Sequence, residues 1–249
     1  MNKSLLIKGH VISSEKCSIC VPVVETSKDA IVERVKEYIA AGIYLIELRM
    51  DFFEGLENKD EVLDLLDRLA VFTENTILLF TIRSKTEGGQ VELPEDYLKE
   101  IILASSATGH IDMVDIEGLN VGDAKEFVAK VKANKVAVVG SHHCFDKTYD
   151  TCKLKDSFEM LYDLGLDIVK VAMMPNEKAD CLRLLSALNE FAESHEDVLV
   201  IAISMGEYGK TSRVCGGLFG SCITFASFEA SSAPGQIEYE KIKTILELI

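Results

Sequence analysis

Lys170 lies inside Asp167-Ile168-Val169-Lys170-Val171-Ala172, a run otherwise short, β-branched and apolar. On an alternating strand Ile168 and Ala172 share its face, so its amine points where apolar residues point. Desolvation penalises an ammonium, and a neutral amine is the form that attacks a ketone to make a Schiff base. A lysine at a strand tip could instead reach solvent or pair with Glu117, so its neighbours must decide. Similar apolar runs end in Glu47-Leu48-Arg49-Met50-Asp51, in Thr81-Ile82-Arg83-Ser84-Lys85 followed by Thr86-Glu87-Gly88-Gly89, in Asp115-Ile116-Glu117 and in Ser141-His142-His143. Met205 and Arg213 follow another, and Ser231-Ser232-Ala233-Pro234-Gly235-Gln236 follows the last. Glu47 and Arg49, two apart, face one side of their strand, where they could form an ion pair with each other or with Arg83. His142 and His143 are adjacent and face opposite sides, so at most one enters an interior.

The elements that would carry these residues recur along the chain. Strands are predicted over 17–24, 44–50, 76–82, 111–116, 136–141, 167–172, 198–204 and 221–225. Amphipathic helices are predicted over 29–41, 60–72, 94–108, 121–133, 151–165, 176–194 and 235–249, with a weaker, glycine-rich one within 208–219. Eight strand–helix units in 249 residues fit a (β/α)8 TIM barrel folded as one domain over 1–249. In such a barrel the chemistry sits at the C-terminal strand ends, where the ionisable groups fall. Leu5–Ile7 and His10–Ile12, around Gly9, read as an N-terminal β-hairpin closing the barrel bottom. An open doubly wound sheet would need G-x-G-x-x-G after its first strand, and Val23-Val24-Glu25-Thr26 has none.

Composition narrows the function. The formal charge of −15 repels nucleic-acid backbones and anionic membrane surfaces, so an anionic ligand needs a local cluster of Arg or Lys. Seven cysteines, an odd number scattered through apolar stretches, point to reduced thiols and a cytoplasmic location. No signal-peptide pattern or long apolar span is visible, so no membrane partner is expected. Several motifs fail on geometry. Cys17 and Cys20 would face opposite sides of a strand and cannot chelate one metal. Gly209-Lys210-Thr211 has Ser204 where a phosphate loop needs its first glycine. Gly216–Gly220 reads equally as a phosphate cradle or a close-packed turn.

With Glu47-Leu48-Arg49, Arg83, Glu87, Ser141-His142-His143, Asp167-Ile168-Val169-Lys170, Ser204-Met205-Gly206, Arg213 and Ser232-Ala233-Pro234-Gly235-Gln236 in that order, the whole chain closely resembles type I 3-dehydroquinate dehydratase. The resemblance implies a (β/α)8 barrel lyase, typically a homodimer, with no metal and no nucleotide cofactor. Its reaction dehydrates 3-dehydroquinate to 3-dehydroshikimate in the shikimate pathway, which serves aromatic amino-acid biosynthesis. Residue by residue, Lys170 matches the imine-forming lysine, His143 the general acid–base and Glu87 the carboxylate that orients it. Arg213 matches the guanidinium that binds the substrate carboxylate, a task its planar fork suits. Glu47, Arg49 and Arg83 match the polar floor, Met205 a contact to the substrate ring, and Ser232 and Gln236 donors on a closing loop. Leu48 and the tandem His142-His143 are local variations. The competing assignment is a class I aldolase-like barrel, which would also use Lys170 but would hold a phosphorylated substrate at Gly216–Gly220. A non-catalytic binding barrel leaves Lys170 and His143 without a role.

Overall fold

The computed structural model describes residues 3–229 and 232–249. Strands β1 (Ser4–Ile7) and β2 (His10–Ser13) form an antiparallel hairpin, turned by Lys8 and Gly9 at positive φ. The chain then alternates β3 (Ser18–Val23), α1 (Lys28–Ala40), β4 (Leu45–Arg49), α2 (Lys59–Ala70), β5 (Ile77–Thr81), α3 (Glu95–Ala107), β6 (Met113–Glu117), α4 (Ala124–Lys132), β7 (Ala137–Cys144) and α5 (Thr151–Tyr162). It continues through β8 (Ile168–Met173), α6 (Lys178–Ser194), β9 (Leu199–Ser204), α7 (Lys210–Cys215), β10 (Ile223–Ser227), β11 (Ile237–Glu238) and α8 (Tyr239–Leu246). Strands β3 to β9 pair in parallel in chain order, and β10 pairs with β3. A bridge between Val200 and Ser221, where Cys222 N donates to Val200 O at 2.9 Å, closes the ring between β9 and β10. The expected (β/α)8 barrel is the fold.

Side-chain alternation divides each barrel strand between two apolar cores. Cys20, Leu45, Leu79, Met113, Val139, Ile168, Ile201 and Ile223 fill the barrel interior. Val21, Ile46, Phe80, Val114, Val138, Val169 and Val200 face outward onto the apolar stripes of the helices. A strand buried on both faces has no polar alternation, which explains why these segments read as continuous apolar runs. Helices start where side chains satisfy free N–H groups: Asp150 accepts from Lys153 N at 2.9 Å, and Glu177 and Asp180 form a reciprocal capping box.

The hairpin does close the bottom. Ile12 is fully buried in the interior core, with Leu5 and Ile7 packed beside it. Lys8 Nζ donates to Thr73 O and Thr76 O at 3.0 and 2.9 Å, below β5, and pairs with Asp112 at 2.9 Å, below β6.

Two local expectations change. The last helix was expected from Gly235, but it starts at Tyr239 because Ile237 and Glu238 add a short parallel strand to β10 at Ala226 and Ser227. β9 and β10 meet only near their N-terminal ends, so the upper edge of β10 is open to receive β11. Gly216–Gly220 is the close-packed turn, not a phosphate cradle. It precedes β10, at the barrel end opposite the reactive groups, and Cβ atoms at Gly217 and Gly220 would come within 2.8 Å of Cys17 Cβ and 2.6 Å of Ala192 Cβ. No helix among the described residues is long and apolar enough to cross a membrane.

Ile12→Ala should therefore cost about 2–4 kcal/mol, the usual range for truncating a packed aliphatic core residue. Urea unfolding with an unchanged m-value measures it; a loss below about 0.5 kcal/mol would mean the hairpin does not seal the core.

Candidate active site

At the C-terminal ends of the strands the interior turns from apolar to charged, around an open-mouthed cavity of about 500 Å³. All ten residues singled out in the sequence line it: Glu47, Arg49, Arg83, Glu87, His143, Lys170, Met205, Arg213, Ser232 and Gln236. Phe145, Ile203 and Phe225 supply apolar wall, which the sequence reading missed.

Lys170 projects inward from β8 above Ile168 and below Ala172, and it is only 4% exposed. Its environment differs from the apolar one expected. Nζ donates to Asp115 Oδ2 at 3.0 Å and lies 4.5 Å from the centre of the Phe225 ring. The partner is Asp115 and not Glu117, because Asp115 faces inward one layer deeper on β6. Asp115 also takes Arg83 Nη2 at 2.8 Å and accepts from Ser141 Oγ at 2.6 Å. Burial alone would raise the Asp115 pKa, but Arg83 and Lys170 outweigh it and bring it down to about 2. The carboxylate therefore stays ionised.

Arg83 carries the network across to β6 and β7: Nη1 donates to Glu117 Oε1 at 3.1 Å and to Ser141 Oγ at 2.9 Å. Glu117 accepts further from Ser84 N and Ser84 Oγ at 2.8 and 2.6 Å. Of the pairings left open for Glu47 and Arg49, the one with each other is not formed. Arg49 instead grips Asp51 with two parallel bonds of 2.8 Å, and Glu47 accepts from Thr81 Oγ1 at 3.0 Å. Alternation places Asp115 on the same face of β6 as Glu117, two residues away, but does not choose between them as the partner of Lys170, and Asp51 lies in the turn after β4, where alternation no longer applies.

Two glycines set the position of Glu87. Residues 85–87 make a tight turn, Gly88 takes φ +85, and Gly89 N donates to Ser84 O at 2.7 Å. A Cβ at Gly89 would lie 1.9 Å from Arg83 O, and one at Gly88 2.3 Å from the Phe145 ring. The loop thus folds back and brings the Glu87 carboxylate beneath β7. Its Oε2 accepts from the His143 backbone N at 3.0 Å and from His143 Nδ1 at 2.8 Å. A carboxylate only accepts, so Nδ1 carries the proton and Nε2 keeps the lone pair. Burial and the Arg83 charge, outweighing Glu87, hold the His143 pKa well below the ordinary imidazole value. His143 is therefore neutral at neutral pH, the state a general base needs. His142 does not line the cavity, but its Nδ1 reaches Glu87 Oε1 at 3.2 Å beside Asn120 Nδ2 at 2.9 Å.

Arg213 is the exception among the buried cations. It is 2% exposed, yet among the described residues no carboxylate pairs with it. Nη1 and Nη2 donate to Phe225 O and Pro234 O at 3.3 and 3.0 Å, Nε is unpartnered, and burial lowers its pKa to about 10. The Phe225 carbonyl lies on the part of β10 that β9 leaves uncovered. Ser232 and Gln236 brace each other, with Ser232 N donating to Gln236 Oε1 at 2.9 Å and Gln236 Nε2 to Ser232 Oγ at 3.0 Å. Pro234 O accepts from Gly206 N at 3.0 Å, and only glycine fits at 235, at φ +76, where a Cβ would lie 2.2 Å from Gly206 O. Ser231, at the start of the expected closing loop, lies outside the described residues.

These groups suit a barrel lyase that captures an anionic carbonyl compound through an amine. Comparison narrows the class. Residues 19–249 match the family described as type I 3-dehydroquinase. A 3-dehydroquinate dehydratase of Clostridioides difficile (strain 630) is 36% identical over 100% of this chain and 98% of its own length. Crystal structures of the 3-dehydroquinate dehydratase from Geobacillus kaustophilus HTA426 and of the type I enzyme from Clostridium difficile with covalent modified comenic acid both superpose with a TM-score of 0.95. Their identities are 33% and 36%, and each alignment covers 100% of this chain and 98% of the other. The chain belongs to the type I 3-dehydroquinase family.

A buried charge held only by carbonyls opposes folding. Arg213→Met should hold or raise the urea midpoint while weakening binding of anionic substrate roughly a hundredfold, the scale of a charge-assisted bidentate contact. A stability loss above about 2 kcal/mol would instead make the guanidinium a structural strut.

Proposed function

We propose that this chain dehydrates 3-dehydroquinate to 3-dehydroshikimate, the shikimate-pathway step of its family, through a Schiff base on Lys170. The observation that carries this reading is the sharing of one cavity by a buried amine on Asp115, a neutral imidazole on Glu87 and a guanidinium that no carboxylate among the described residues pairs with. The neutral amine of Lys170 attacks the ketone carbon, and loss of the ketone oxygen as water, with one proton taken up, leaves a protonated imine that carries a positive charge at Nζ. Asp115 Oδ2, 3.0 Å from Nζ, can hold that charge on the intermediate. At its pKa of about 2 it is no base; it orients the nitrogen and stabilises the iminium.

The iminium acidifies the neighbouring C–H. His143 Nε2 takes that proton, and the electron pair moves into the iminium to give an enamine. The pair then returns, the carbon–hydroxyl bond breaks, and His143 hands the proton to the departing oxygen, which leaves as water. Glu87 holds the transient imidazolium through Nδ1–H. Hydrolysis of the remaining imine releases the enone and restores Lys170. Arg213 takes the substrate carboxylate, which fixes the face of the ring presented to His143. Glu47, Arg49 and Arg83 form the polar floor, Met205 packs on the ring, and Ser232 and Gln236 cover it.

We further assign the chain a single domain, a cytoplasmic location consistent with its unpaired cysteines, and the homodimeric state of its family. The aldolase-like alternative loses its support, since Gly216–Gly220 lies away from Lys170.

Borohydride added with 3-dehydroquinate should fix a covalent adduct on Lys170, seen by mass spectrometry of peptides, and Lys170→Ala should abolish it. Adduct on a different lysine rejects the assignment. His143→Ala should still be trapped as the imine but lose roughly 10²–10⁴-fold in kcat, followed by the ultraviolet absorbance of the enone; near-normal turnover would remove His143 from the chemistry. Because the free enzyme holds His143 neutral, the acid limb of kcat/KM should fall below about pH 6.5, the ordinary imidazole value. A limb above about pH 7 contradicts that electrostatic account.

A further inference from the structure

His142 has no place in the steps above, yet it is not a surface residue. Its side chain is 15% exposed and lies between two polar partners: Nδ1 at 3.2 Å from Glu87 Oε1 and Nε2 at 3.1 Å from Tyr149 Oη, with the rings of His142 and Tyr149 stacked at 5.9 Å. β7 runs to Cys144, past the end of β6, whose last residue Glu117 pairs with Ser141, and the Glu87 turn folds back over it, so adjacent residues of one strand reach both oxygens of one carboxylate. A carboxylate cannot donate, so His142 Nδ1 also carries a hydrogen. A neutral His142 then has only a lone pair at Nε2, which the Tyr149 hydroxyl fills.

We propose that His142 is a positioning residue for proton transfer: its Nδ1–H holds the far oxygen of Glu87, Tyr149 fixes its tautomer, and together they tune the grip of Glu87 on His143. The line runs from Tyr149 Oη through His142 and Glu87 to His143, and it rests on the proposed role of His143 as acid–base. Glu87 sits below the ordinary carboxylate range because the His142 and His143 bonds outweigh its burial. The other groups facing this line are Arg83 at 3.5 Å and Asn120 on Glu87, and Cys144 and Asp146 beside Tyr149. Lys153 of α5 lies 3.8 Å over the Tyr149 ring, and Arg183 of α6 reaches Tyr149 O at 3.5 Å. Asn120 Nδ2 already donates to the same Oε1 at 2.9 Å, so loss of His142 Nδ1 leaves that oxygen with one of its two side-chain donors.

A carboxylate with one donor fewer is more basic, so it holds imidazolium more tightly and keeps His143 protonated to higher pH. The test measures pH profiles of kcat and kcat/KM for wild type, His142→Phe, His142→Asn and Tyr149→Phe. His142→Phe keeps a ring but removes the donor; kcat should fall roughly tenfold with KM within about twofold, and the acid limb of kcat/KM should rise by about half a pH unit. His142→Asn, whose amide can still donate to Glu87, should restore most of both. Tyr149→Phe should shift the limb the same way by less. An unmoved limb in His142→Phe overturns the proposal, and where that variant does not fold, an unmoved limb in Tyr149→Phe does so. A merely structural histidine would lower the active fraction without moving the limb. Wild type that forms no enone would remove the acid–base reading and this inference together, whereas active wild type with unmoved limbs removes this inference alone.

Discussion

The contact on which the site depends is the sharing of the Asp115 carboxylate between Lys170 and Arg83 at the barrel axis. Desolvating three charges is expensive, and such a cluster is tolerated only when geometry and further hydrogen bonds satisfy every member. Here Ser141 fills the remaining reach of Asp115, while Glu117 and Ser141 take up Arg83. These residues come from β6, β7 and β8 and from just beyond β5, so the parallel register of these adjacent strands assembles them. Removing one partner would strand another charge, and breaking such a pair costs about 3–5 kcal/mol. Catalytic placement and folding cooperativity are therefore joined in one set of contacts.

Arg213 stands outside that rule. Every other buried cation of the mouth has a carboxylate; this one has two carbonyls and an unpartnered Nε. Within a chain of net charge −15, a desolvated positive charge with no carboxylate on it among the described residues makes a local well for an anion. The divergence of β9 from β10 makes room for it and for β11, and the loop carrying Ser232 and Gln236 closes over it. The bottom of the barrel is built for the opposite purpose, with an apolar plug and lysines that have found their partners.

The fold was readable because strands buried on both faces and helices with one apolar stripe leave different periodicities, and each predicted strand lies within a few residues of the observed one. Lys170 was readable for the same reason, as a charge breaking an apolar pattern. What escaped the reading were the partners. Whether Lys170 meets Asp115 or Glu117 depends on which layer of β6 faces it, a register between distant strands that no single segment encodes. Asn120 and Tyr149 lie in loops without periodicity, and the reach of His142 to Glu87 follows from a backward-folding turn set by Gly88 and Gly89. Alternation admitted only one of His142 and His143 to the interior and the family resemblance chose His143, yet neither could show that the second oxygen of Glu87 waits on the other face of β7. The start of α8 was misplaced because nothing local to Ile237 signals an open strand edge some ten residues away.

The most direct measurement is a crystal structure of the protein after reduction with its substrate bound. The account predicts continuous density from Lys170 Nζ into the substrate ring, the carboxylate seated on the Arg213 guanidinium, and His143 Nε2 over the carbon that loses its proton. A ring bonded elsewhere, or a carboxylate turned away from Arg213 toward solvent, would contradict it.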